Sequence, residues 1–150
     1  MKRLLVLATL TATAASAATF LVPSDESLVR ASKAIVVATA GESHTRYAPG
    51  GWIETLTELR VDEAIKGPLR SGEAIEVTEL GGAVGQIAYV VPGSPHYPAG
   101  ERVLLFLETN DRGEWVSKNM VIGKFAFNRG LLVRDSSELV GWDEETGTSH

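Results

Sequence analysis

Apolar and polar positions follow a helical spacing once, near the start of this chain, and then alternate with period two almost to its end. Ser24-Asp25-Glu26 reads as a helix start. Ser24 is placed to cap free amides, and the two acids sit where the helix dipole favours negative charge. Leu28, Val29 and Ala31 supply an apolar side, Pro23 stops any earlier helix, and the element is predicted to end near Lys33. From Ala34 to Ala40 the run is β-branched and apolar, which predicts a buried strand. Gly41 to Gly51 is polar and closes on Pro49-Gly50-Gly51, so it reads as a long loop or an irregular strand extension. Between Ile53 and Val61, Ile53, Thr55, Thr57, Leu59 and Val61 share one face while Glu54, Glu58 and Arg60 take the other, the pattern of a half-buried antiparallel strand. Asp62 to Pro68 then reads as a turn or short helical corner whose Ile65 plugs the core.

The alternation returns at Glu73 to Leu80, with Ile75 and Val77 inward and Glu76 and Thr78 outward. Gly81-Gly82 and Gly85 interrupt it, and Gln86 to Val91 resumes as a strand placed to pair with the first as a hairpin. Pro92 to Gly100 is a proline-rich loop. Arg102 to Leu107 (RVLLFL) gives the clearest buried-strand pattern. A turn at Asn110 to Gly113 leads to a strand around Trp115-Val116, and strands at Gly123 to Phe127 and Leu131 to Val133 flank the turn Asn128-Arg129-Gly130. Six or seven strands without crossover helices predict a mainly β, antiparallel fold. Closing it into a barrel removes the free edges, and a two-sheet β-sandwich is the alternative.

The segment before this domain changes the picture most. In Met1 to Ala17, Lys2 and Arg3 form a basic n-region, Leu4 to Ala14 an apolar run, and Ala15-Ser16-Ala17 a small-x-small cleavage pattern. A membrane anchor is the rival reading, but a spanning helix needs roughly 20 apolar residues and this run is shorter and threonine-rich. Residues 1–17 are therefore expected to be a signal peptide, 18–140 the β-barrel domain and 141–150 a flexible acidic tail. The mature protein is expected to be exported, to the periplasm or the extracellular space, with no membrane attachment. Cleavage takes the basic count from 14 to 12 against 19 acids, a formal charge of −7. Such an anionic surface repels phosphate backbones, which argues against nucleic-acid binding. Cysteine is absent, so disulfides, thiolate zinc sites and cysteine nucleophiles are excluded.

Three phrases together resemble a known class of domain: Ala34-Ile35-Val36-Val37, then Leu59-Arg60-Val61-Asp62-Glu63-Ala64-Ile65-Lys66-Gly67, then Gly100-Glu101-Arg102-Val103-Leu104-Leu105-Phe106-Leu107. Their order is similar to exported bacterial domains of the netrin-like and metalloproteinase-inhibitor type. The resemblance spans Ser24 to Val133 and implies an OB-like barrel with one short N-terminal helix. In some bacterial proteins a similar region precedes a matrixin-like zinc protease, which makes a protease domain one expected partner. Tissue metalloproteinase inhibitors chelate zinc through an N-terminal cysteine, whereas the mature chain would begin Ala18-Thr19-Phe20. That mechanism does not transfer. The His-Glu-x-x-His pair of zincin proteases is also missing.

The remaining chemistry is sparse. His44, His96 and His150 are the three imidazoles, and a metal-dependent or hydrolytic site would need His44 and His96 to meet between loops, with Glu42 or Tyr97. Ser94, His96 and Asp111 form a triad on paper, without a Gly-x-Ser-x-Gly elbow. Gly81 to Gly85 reads as a hairpin or bulge rather than a phosphate cradle, because a strand follows it instead of a helix. The aromatic residues of the long loops carry more weight. Tyr47, Trp52 and Tyr97, with His96, are the candidate binding residues, since loops at one end of a barrel commonly bind and Trp and Tyr are favoured interface anchors. The sequence thus points to a non-catalytic exported barrel that binds a protein or acts beside a neighbouring domain, with no cofactor. The alternatives are the leading segment of a secreted metalloprotease precursor, or a small loop-based enzyme.

Overall fold

The computed structural model describes residues 19–21, 23–134, 140–143 and 148–149. The expected signal peptide, 1–17, lies outside the described residues. Among the described residues, twelve strands occur with one α-helix and one 3-10 turn. The strands are β1 (Thr19–Leu21), β2 (Ala34–Tyr47), β3 (Ile53–Lys66), β4 (Ala74–Leu80), β5 (Gly82–Val84), β6 (Ile87–Tyr89), β7 (Arg102–Thr109), β8 (Trp115–Ser117), β9 (Lys124–Asn128), β10 (Leu131–Val133), β11 (Val140–Asp143) and β12 (Thr148–Ser149). The helix is α1 (Asp25–Ala31), and Met120–Gly123 forms the 3-10 turn.

Seven strands make one sheet in the order β10-β9-β7-β2-β3-β4-β8, and β8 also pairs with β7, so five of them close into a ring. Consecutive β2, β3 and β4 form an antiparallel meander and β7 returns beside β2, the Greek-key arrangement. The fold is thus mainly β and barrel-like, as the alternation predicts. It is not wholly antiparallel. The ring closes through one parallel bridge, Val77 opposite Trp115. The need for a crossover applies to parallel strands that follow one another, and β5, β6 and β7 intervene here. A small separate sheet joins β1, β11 and β12, which draws strands from the segment expected to be a tail.

Inward residues alternate small and large around the ring. Ala34, Val36 and Ala38 of β2 stand opposite Leu107, Leu105 and Val103 of β7, and Leu59, Val61, Ile75 and Val77 complete the core. Leu69 and Tyr97 plug it from loops. Both faces of the first half of β2 are buried, because Ile35 and Phe106 point outward beneath Leu28 of α1. Ser24 caps α1 by accepting from the Ser27 N–H. At the other end Lys66 Nζ donates to the carbonyls of Val29 and Ser32, each at 2.7 Å, and to that of Arg30 at 3.1 Å. A cation thereby satisfies the orphan carbonyls of the last turn.

Two sequence expectations are corrected here. Asp62 to Lys66 is no corner; β3 runs through it, with register shifts opposite Ile35–Val36 and Val37–Ala38 that insert extra residues and turn Ile65 out to solvent. The strand at Glu73 to Leu80 does not form a hairpin with Gln86 to Val91. Gly81 and Gly82 both take positive φ, which lifts the chain out of the main sheet, so β6 pairs with β5 instead.

Candidate functional site

The polar stretch after Ala40 is strand, not loop. β2 continues to Tyr47, with a bulge where Gly41 and Glu42 face Glu58, and beyond it β2 and β3 project from the ring as a two-stranded arm. Its tip is a tight turn in which the Gly51 N–H donates to the Ala48 carbonyl. Pro49 and Gly50 (φ +112°) occupy the positions where a type II turn takes proline and glycine. The arm lacks an apolar pattern because its polar residues are satisfied locally. On one face Thr45 Oγ1 donates to the Ala83 carbonyl at 2.6 Å and Thr55 Oγ1 to the Gly81 carbonyl at 2.8 Å, which docks the β5–β6 hairpin there.

The opposite face carries Glu54, placed outward from sequence but only 2 % exposed. Its register partner Arg46 donates to Glu54 Oε2 from Nε at 3.2 Å and from Nη2 at 3.1 Å. Trp52 Nε1 donates to Glu54 Oε1 at 3.3 Å, and Arg112, from the β7–β8 turn, bonds the same oxygen. Both arginines also hold Glu114, Arg46 at 2.6 Å and Arg112 at 2.5 Å. The Arg112 hydrogen bond holds the Glu114 carboxyl at about 2, well below its usual range. Two arginines and two glutamates form a closed, neutral lattice that fixes the arm to the β7–β8 turn.

Beside that lattice lies a cleft of about 380 Å³ between Trp52, the end of β4 and the β8–Met120 segment. Its floor holds Glu79, 8 % exposed. Glu79 Oε1 accepts from the Tyr97 hydroxyl and from the Ser117 N–H, both at 3.0 Å, so the carboxyl clasps β4 to β8 beside the closing bridge. Burial raises its pKa to about 7, against these hydrogen bonds. Asn119 and Met120, which also line the cleft, both sit in the left-handed region at φ +56° and +58°. Such strain in non-glycine residues is concentrated at functional sites.

The four candidate binding residues are dispersed. Trp52, 41 % exposed, stands at the cleft. Tyr47 is exposed on the arm, but strand alternation puts it on the Thr45 face, away from Trp52. Tyr97 is no surface residue. At 3 % exposure it is a core plug, its ring 5.1 Å beneath Lys124 Nζ and its hydroxyl spent on Glu79. The adjacent His96 is exposed, and Lys124 Nζ bonds its carbonyl. His44 lies exposed on β2, and neither imidazole hydrogen-bonds the other, Glu42 or Tyr97 among the described residues. No cluster of three or more His, Asp or Glu poised for a metal ion occurs among them. Ser94 Oγ donates to the Leu80 carbonyl at 2.6 Å, so the paper triad has no free nucleophile. Glu79 escaped the sequence reading, although period-two alternation from Ile75 and Val77 puts it on their inward face. Glu54 gave no such signal, since its burial depends on Arg112 arriving from 58 residues away.

No family model matches the chain, and no curated protein or solved structure matches it either.

Proposed function

We propose that this chain is an exported, non-catalytic β-barrel module that binds a protein segment at the Trp52 end of the ring. The observation that carries this reading is the rigid arm that holds Trp52 at the edge of a cleft. Beside it Arg46, Glu54, Arg112 and Glu114 are tied up with one another, so they brace a surface rather than stand ready for turnover. A partly exposed indole with one polar bond is a favoured interface anchor. The Greek-key order and five-strand closure support likening the domain to OB-type barrels, which bind through loops at the barrel rim.

Panning a random peptide library displayed on phage against the purified domain tests the reading. Selected peptides are expected to lose at least about tenfold in capture on a Trp52→Ala variant, the loss typical of an aromatic hot spot. Tyr47→Ala, on the other face of the arm, is expected to leave capture unchanged. Retained capture on folded Trp52→Ala, or no selected peptides at all, overturns the proposal. Export is tested separately, by N-terminal sequencing of secreted protein, which is expected to begin at Ala18.

A further inference from the structure

We propose that the cleft beside Trp52 is a receptor for a lysine side chain, with Glu79 and Ser117 as its ammonium acceptors. The inference rests on the protein-binding reading above and names the chemistry of the partner segment.

Charge pairing comes first. Among the described charged groups that line the cleft, Glu54 is held by Arg46 and Arg112, and Glu108 is held by Lys118 at 2.5 Å. Glu79 alone has no cation against it; burial and the neutral groups of Ser117 and Tyr97 set its environment. The bonds from the Tyr97 hydroxyl and the Ser117 N–H both fall on Oε1, and Oε2 accepts none among the described residues. A carboxylate taken from water without a counter-ion is costly, so such a position calls for a cation supplied from outside.

A second, independent group points the same way. Ser117 lines the cleft at 4 % exposure, and its Oγ makes no hydrogen bond although its own N–H reaches Glu79. Buried hydroxyls without partners are uncommon, and this one lies beside the Glu79 carboxyl. One free carboxylate oxygen and one hydroxyl suit the compact three-donor ammonium of lysine. They do not suit the planar guanidinium of arginine, which is matched by paired coplanar acceptors. Leu80, Val116 and Met120 supply apolar wall for a four-carbon stem, and the Trp52 ring stands at the entrance where a cation gains from an aromatic face. The anionic chain further favours approach by a basic segment.

Titration calorimetry with Nα-acetyl-lysine N-methylamide, against the uncharged norleucine analogue, tests this directly. The lysine compound is expected to bind at least about tenfold more tightly, one charged hydrogen-bonded contact being worth that much. Glu79→Gln is expected to bring the two compounds within about twofold of each other, and Ser117→Ala to weaken the lysine compound several-fold, with near-UV circular dichroism reporting that both variants are folded. Equal binding of the two compounds, no lysine binding, or lysine binding untouched by either folded variant overturns the proposal. The peptide panning separates the two levels. Peptides that need Trp52 but show no lysine enrichment defeat the lysine receptor and leave the binding module standing. Failure to select any peptide defeats the module itself.

Discussion

Replacing Glu79 by glutamine should stabilise the domain in mild base and leave it almost unchanged in mild acid. The carboxyl titrates at about 7 in the fold against an ordinary 4.5. At about 1.4 kcal/mol for each tenfold in proton affinity, that difference amounts to roughly 3 kcal/mol. An acid whose pKa is raised by folding binds more protons folded than unfolded between those two values. Its stabilising share is therefore complete below about pH 4.5 and lost as the pH climbs through about 7. Glutamine keeps an oxygen for the Tyr97 hydroxyl and the Ser117 N–H but carries no charge to desolvate. Urea unfolding followed by tryptophan fluorescence at pH 5 and pH 8 reads both proteins. The parent is expected to lose about 2–3 kcal/mol between those pH values from this group, and Glu79→Gln to lose little. The depressed Glu114 acts only at lower pH and does not blur the window. Identical slopes for parent and variant, or a parent that gains stability toward pH 8 while the variant does not, would refute the argument that Glu79 is buried without a counter-ion.

The other predictions concern the arm and the outer layer. Glu54→Ala removes the buried acceptor shared by Arg46, Arg112 and Trp52, leaves Glu114 to hold both arginines, and is expected to lower the thermal unfolding midpoint; an unchanged midpoint would mean the lattice is a loose surface network. Gly82→Ala would set a methyl 2.6 Å from Thr55 Oγ1 at φ +127°, so the β5–β6 hairpin should detach and limited proteolysis should cut near Gln86 faster than in the parent. Leu28→Ala empties the space between α1 and Phe106 and is expected to cost about 2–4 kcal/mol in urea unfolding, with the ring's tryptophan signal intact in the folded baseline.

The sequence made the ring legible where burial is one-sided or complete and the partners are regular. Ala34 to Ala40 and Arg102 to Leu107 read as buried strands and face each other in the register that fills the barrel. The helix was legible from Ser24 and its acids, and the cap is there. The arm was not, because its residues are satisfied by cross-strand polar bonds and by a hairpin folded back from Gly81-Gly82, neither of which leaves an apolar period. Ile65 misled for a related reason: a bulge shifts the phase of alternation, and an apolar residue then lands on the solvent side. Of the candidate site, Trp52 was found from its exposed-loop context. Glu79 was recoverable from alternation alone. Glu54 and Tyr97 took their places from contacts far along the chain.

The parallel bridge that shuts the ring is its shortest pairing, with the single register pair Val77 and Trp115. β2, β3 and β4 follow one another through short turns, whereas Glu79 and Ser117 meet across 38 residues. Without that meeting the sheet is an open ribbon with two raw edges; with it, a hoop. A joint this short is the one that parts most readily, so the amides of β8 should exchange with solvent sooner than those of β2 or β7. The fastener at that joint is a carboxyl that releases its proton near neutrality, and the acidity of the surroundings thereby sets how firmly the hoop is closed.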